Sequence, residues 1–127
     1  MPAFDWHGYL DLSRQLHSLP NPASREAVLR SIISRAFYAA FILARNNARD
    51  NHKQVMDGST RDYNTVFMYY KKSNPRITPD LKNLKAWREN CDYSDIVDNL
   101  EIIAKEAIRI SQMIISKLPE YHIPAPY

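Results

Sequence analysis

The sequence predicts an all-α protein, an up-and-down antiparallel bundle of four to five helices. Three observations lead there. Two glycines in 127 residues are too few for an all-β chain, which needs them at hairpins and bulges. The eight prolines stand at 2, 20, 22, 75, 79, 119, 124 and 126, which is the punctuation of helices joined by short connections. In the proline-free tracts between them, apolar residues recur at steps of three and four. The length suits one domain spanning 1–127, with a core of about 5–118 and a tail at 119–127.

Residues 5–19 (DWHGYLDLSRQLHSL) place Trp6, Tyr9, Leu12, Leu16 and Leu19 on one face of a first helix, weakened by Gly8 near its start. Pro20 and Pro22 break it. Asn21 or Ser24 then caps a second helix from about 22 to 49. Its stripe is Leu29, Ile33, Ala36, Phe37, Ala40, Phe41 and Ala44, and around 36–44 the apolar surface nearly encircles it, so this is the central helix. Residues 50–60, with Asp57-Gly58-Ser59, read as a helix end and loop. Asp62 to Tyr70 forms a short helix with Val66, Phe67 and Tyr70 inward. Thr78 caps the next long element, with Pro79 first and Asp80 against the helix N-terminus. That element carries Leu81, Leu84, Trp87 or Arg88, and Cys91 at helical spacing, and a kink or turn follows at Asp92–Ser94. The last helix, Asp95 to Lys117, repeats Ile96, Leu100, Ile103, Ala107, Ile110 and Ile114, and Pro119 ends it. EYHIPAPY is a tail that orders only on docking.

Composition narrows the function classes. Hydrophobic residues at 45% and charged ones at 24% fit a soluble globular chain. The net charge of +3 and pI near 9.0 are compatible with RNA or DNA contact without demanding it. Cys91 is the only cysteine, so no intrachain disulfide forms and a cytoplasmic location is expected. No signal-peptide pattern opens the chain, and the longest apolar run, Ala36 to Ala44, is a core segment, so no membrane partner is expected. No Cys, His or carboxylate set has ligand spacing, so no metal or other cofactor is expected. Cys91 itself reads as a small buried hydrophobe.

Two groups of polar residues fit a plain bundle poorly. Arg35 lies on the flank of the apolar stripe, with Tyr38 three residues later on the same side. In WRENCDYSD (87–95), Arg88 and Asp92 form an i,i+4 pair beside Tyr93, where an arginine is placed to hold an anion or a carboxylate. The bland alternative is a snorkelling Arg35 and a surface Arg88–Asp92 pair contributing under ~1 kcal/mol.

SRAFYAAF at 34–41, together with Leu81, Leu84, Arg88 and the DYSD at 92–95, resembles the HEPN superfamily. The likeness is to small prokaryotic members with Ser-Arg-Ala-Tyr-Tyr-Ala-Ala-Phe in the second helix and Arg-x-x-x-Asp-Tyr in the third. It covers roughly residues 5–118. The resemblance implies a helical bundle that dimerises through its motif helices, and membership of toxin–antitoxin or phage-defence modules. Many members are metal-independent ribonucleases in which a histidine, about four to six residues after the arginine, moves the proton while the arginine stabilises phosphate charge. Here that position holds Tyr93, and a phenol with a reference pKa of about 10 is a poor base near neutrality. None of His7, His17, His52 or His122 follows Arg88 within six residues.

The resemblance thus implies an RNA- or nucleotide-phosphate-binding homodimer, with endoribonuclease activity left open. Arg88 and Arg35 would hold phosphate, Asp92 would orient Arg88, Tyr93 would donate a hydrogen bond or act as a weak acid, and Tyr38 and His52 would join the RNA site. Lys71, Lys72, Arg76, Lys82, Lys85 and Arg88, with Arg30, Arg35, Arg45, Arg49 and Lys53, would make a basic strip on which Tyr63, Tyr69 and Tyr70 stack bases. Glu89, Asp92, Asp95, Asp98 and Glu101 suit the start of the last helix. The rival expectations are a non-catalytic interaction module partnering a cognate antitoxin, a nucleotidyltransferase or another protein, and a plain helical adaptor.

Overall fold

Five helices, with no strand among the described residues 3–20 and 24–119, make up the computed structural model. They are α1 (His7–His17), α2 (Arg25–His52), α3 (Arg61–Ser73), α4 (Thr78–Tyr93) and α5 (Leu100–Lys117). The fold is a helical bundle, and α2 is its axis: α1, α3, α4 and α5 all pack against it. At 28 residues, α2 runs about 42 Å. Its length and apolar composition would suffice to cross a bilayer, but here that apolar surface is taken up by the other helices. Leu29, Ile33, Ala36, Phe37, Ala40, Phe41 and Ala44 are all buried, as the stripe predicts. Ile32, Ala39 and Leu43 close the circle.

Local signals explain where α2 begins and ends. Ser24 is extended, and its Oγ accepts a hydrogen bond from the Ala27 N–H at 3.2 Å, so it serves as the N-cap; the alternative cap, Asn21, lies outside the described residues, as do Pro22, His122 and the EYHIPAPY segment. Lys53 ends the helix in the left-handed region at φ 56°. At the opposite, N-terminal end, Arg25 ties α2 to α5 through both oxygens of Glu101, at 2.9 and 3.1 Å.

Two serines bolt neighbours onto the axis. Ser13 Oγ of α1 lies 3.1 Å from the Ile32 carbonyl, and Ser111 Oγ of α5 donates to the Ala36 carbonyl at 2.8 Å. Both are fully buried, and their small side chains let the helices approach closely over the alanines of α2. Ser13 also explains a correction in α1, which spans 7–17 rather than 5–19. Leu10 and Ser13 take the inner positions, while Leu12 and Leu19 are exposed. The buried face is thus centred on a polar residue that an apolar count passes over.

Two further boundaries differ from expectation. Thr78 does not cap α4: it sits inside the helix with its Oγ1 buried and without a hydrogen-bond partner, because fully buried Ile77 starts the helical path one residue earlier. The last helix starts at Leu100, not Asp95, and Ile96 is 83% exposed. Arg30 is the reason. Its guanidinium donates to the carbonyls of Cys91, Ser94 and Asp95 at 2.7, 2.8 and 3.1 Å, which pins the start of the 94–99 loop, and Asn99, left-handed at φ 62°, closes it before α5. The chain does turn at the end of α4, with Ser94 extended as its C-cap.

Candidate functional site

Along α4, Leu81, Leu84, Arg88 and Cys91 form the buried face, so a guanidinium occupies an inner position that an apolar side chain would otherwise fill. Trp87 is half-buried beside it. Arg88 is 8% exposed and lies on aromatic faces supplied by α2, its Cζ 5.3 Å from the Phe37 ring centroid and 5.5 Å from that of Tyr38. Nη1 donates to Asp92 Oδ2 at 3.1 Å and Nη2 to the Tyr63 hydroxyl at 3.4 Å, while Nε is buried without a partner. Burial works to lower the Arg88 pKa, but the Asp92 hydrogen bond and the Tyr38 and Tyr63 oxygens outweigh it and the net direction is upward. The group stays a cation throughout.

Arg88 borders a groove of about 610 Å³ between α3 and α4. Thr60, Tyr63 and Phe67 line it from the α3 side, and Lys85, Glu89 and Tyr93 from α4. Lys85 forms an i,i+4 pair with Glu89 and stands 5.1 Å from the Tyr63 ring centroid. The Lys85 hydrogen bond holds the Glu89 carboxyl below its usual range. Tyr63 packs on Phe41 at 4.5 Å and on Phe37 at 6.0 Å, and burial pushes its phenol up. Tyr93, the last residue of α4, is 80% exposed.

The residues singled out from the sequence are only partly brought together. Tyr38, Arg88 and Asp92 form one contiguous cluster, and Tyr93 lines the same groove. Arg35 does not join them. Its Cζ stands 4.9 Å over the ring of Tyr9 in α1, part of an edge-on aromatic group with Phe4 and Trp6. The step of three that groups Arg35 with Tyr38 puts them on one flank, but α1 fills that flank at Arg35 and α4 fills it at Tyr38. His52 ends α2 and packs against Tyr69 with ring centroids 5.0 Å apart and the rings tilted by 34°. It is absent from the lining of the Arg88 groove.

The expected basic strip is thinner than its composition. Arg30 is spent on backbone carbonyls, and Arg45 donates to the Asn46 side chain at 3.0 and 3.1 Å. Tyr70 cannot stack on a base: it is 3% exposed, donates to the Ala44 carbonyl and accepts from Asn47 Nδ2, both at 2.7 Å. Burial pushes its pKa up to about 12. Cys91 is buried, and its thiol is likewise pushed up by burial, which makes it a poor nucleophile. Sequence reasoning missed Arg30, Ser13, Ser111 and the Asn47–Tyr70 pair, since backbone carbonyl targets leave no pattern in the residues. No family model, curated protein or solved structure matches this chain.

Proposed function

We propose that this protein is a HEPN-like RNA-binding protein that takes a nucleotide phosphate in the groove between α3 and α4, as part of a toxin–antitoxin or phage-defence module. One observation carries the reading: Arg88 is nearly buried, stacked on Phe37 and Tyr38 and oriented by Asp92 at the edge of a groove flanked by tyrosines. A guanidinium fixed this way has already lost its rotamer freedom, so it can donate to phosphate oxygens with little further ordering cost. Tyr93, 80% exposed, offers a π-face for a base. The family resemblance adds support, because its two stretches, Ser34–Phe41 and Arg88–Tyr93, touch each other through Phe37, Tyr38 and Arg88.

Binding, not cleavage, is what these groups favour. Glu89 is held by Lys85 and Asp92 by Arg88, and no described histidine lines the groove. Each carboxylate is thus engaged by a neighbouring cation rather than poised as a lone base for a 2′-hydroxyl proton. Fluorescence anisotropy with a labelled single-stranded RNA tests the reading at low salt, below the melting range. Wild type binds and leaves the RNA intact, and Arg88→Ala weakens binding at least tenfold, by about 1.4 kcal/mol. Equal binding by a folded Arg88→Ala protein would overturn the assignment.

A second reading, a non-catalytic interaction module, is favoured by one feature. Tyr93 and Ile96 are 80% and 83% exposed within four residues of each other, an apolar pair suited to a protein partner such as a second copy or a nucleotidyltransferase. In that case Ile96→Asp abolishes a complex seen by size-exclusion chromatography, and Arg88→Ala changes no RNA property.

A further inference from the structure

A second groove, of about 580 Å³, lies on the other side of α3. Thr65, Met68, Tyr69 and Lys72 line it, and Asn64 lines both grooves. Helical spacing explains the arrangement. Thr60, Tyr63 and Phe67 fall on one flank of α3, Thr65, Met68 and Lys72 on the other, and Asn64 and Lys71 run along the crest between them. Asn64, Met68, Lys71 and Lys72 are exposed, whereas Asp62, Val66 and Tyr70 face the core. Tyr69 packs against His52, ring centroids 5.0 Å apart, which gives the second groove an aromatic wall.

We propose that α3 is a ridge straddled by one RNA single strand, with a second subsite in the groove of Tyr69, Met68 and Lys72. This rests on the reading that the Arg88 groove takes RNA, and it deepens that reading by naming the substrate class. Each groove pairs an aromatic side chain with a cation, Tyr93 with Arg88 in the first and Tyr69 with Lys72 in the second, the combination that holds a stacked base and its phosphate. The two are separated by a helix about 10–12 Å across, so no mononucleotide occupies both. A duplex keeps its base faces stacked inside and cannot insert them on either side of a ridge. Charge complementarity favours the path as well. Lys71 on the crest and Lys72 in the second groove have no carboxylate within 4 Å among the described residues, so their charge is open to a phosphate backbone.

The test uses the full chain, a labelled 12-nucleotide oligouridylate, a UpU dinucleotide as competitor and a 12-base-pair RNA duplex. The surface variant Lys71→Glu/Lys72→Glu, shown folded by circular dichroism, is expected to weaken 12-mer binding about tenfold. It should also cut the slope of log affinity against log salt by about 1.4, while UpU competition at the Arg88 groove stays unchanged. Arg88→Ala weakens both ligands. If the lysine variant binds the 12-mer like wild type while Arg88→Ala does not, the ridge is overturned and the first groove stands. If Arg88→Ala has no effect, the first groove falls and the straddling strand with it. Duplex binding as tight as single-strand binding also overturns the ridge.

Discussion

The grooves on the two sides of α3 are nearly equal in size but differ in charge balance. In the first, each cation has its own carboxylate, Lys85 with Glu89 and Arg88 with Asp92. In the second, Lys72 has none within 4 Å among the described residues, nor does Lys71 on the crest above it. The groove that the sequence motif marks is therefore built for geometry: its guanidinium is fixed by aromatic faces and a carboxylate, and its net charge is near zero. The unmarked groove supplies the uncompensated charge that attracts a polyanion from a distance. Orientation and attraction are separated by the width of one helix.

The strongest blow to that contrast is Arg88→Ala. It empties the contact over Phe37 and Tyr38 and strips Asp92 of its partner, so stability falls by about 2 kcal/mol and the melting temperature by several degrees. Arg88→Lys sharpens the test. It keeps the charge but loses the planar stacking, and it is expected to recover less than half of the lost RNA affinity. Full recovery by lysine would mean that charge alone, not a fixed geometry, characterises the first groove.

Tyr70→Phe acts on both grooves at once, because the Tyr70 hydroxyl pins α3 to Ala44 and Asn47 of α2. Leaving the buried Asn47 amide short of a partner costs about 1–2 kcal/mol, and affinity at both grooves should drop together. The pH dependence has a definite sign. The folded-state pKa is raised from 10 to about 12, so this contribution to stability is complete below pH 10 and is lost as pH climbs toward 12. Urea midpoints measured from pH 8 to 12 should fall less steeply in the variant than in wild type.

The legible parts of the molecule are those in which one helix decides. The stripe of α2 and the Arg88–Asp92 step of four belong to a single element, and both are where the sequence puts them. Ile96 continues the step-of-four pattern of α5, yet it lies in a loop because Arg30 collects three carbonyl oxygens, and backbone acceptors look the same behind every side chain. Arg35 and Tyr38 share a flank by spacing, but which neighbour fills that flank depends on how α1 and α4 pack. The second groove was illegible for the same reason. Gln54 also lines that groove; it comes from the loop after α2 while Thr65, Met68 and Lys72 come from α3, and nothing in either segment states that they meet.

Asp92→Asn makes the first groove resemble the second. The asparagine amide oxygen still accepts from Nη1 and orients Arg88 on its aromatic bed, but without the carboxylate charge it competes less with phosphate, so RNA binds about threefold tighter, by roughly 0.6 kcal/mol. Stability changes by under ~1 kcal/mol, as for most partly exposed ion pairs. Anisotropy titrations at low and moderate salt check this. Weaker binding by the asparagine variant would mean that Asp92 orients Arg88 more than it competes for it.

Glu89→Gln is the gentlest change and bears chiefly on Lys85. Hydrogen bonding to Lys85 lowers the Glu89 pKa, so the pair persists at every pH above the ordinary glutamate range and is lost only as pH falls through the depressed folded-state value. Acidifying wild type from pH 8 to 5 should therefore leave Lys85 engaged and RNA affinity at the first groove flat. The glutamine variant releases Lys85 at neutral pH and should bind about twofold tighter across that whole range. A wild-type affinity that rose on the way to pH 5 would show Glu89 already letting go, and the charge balance that distinguishes the two grooves would then depend on pH.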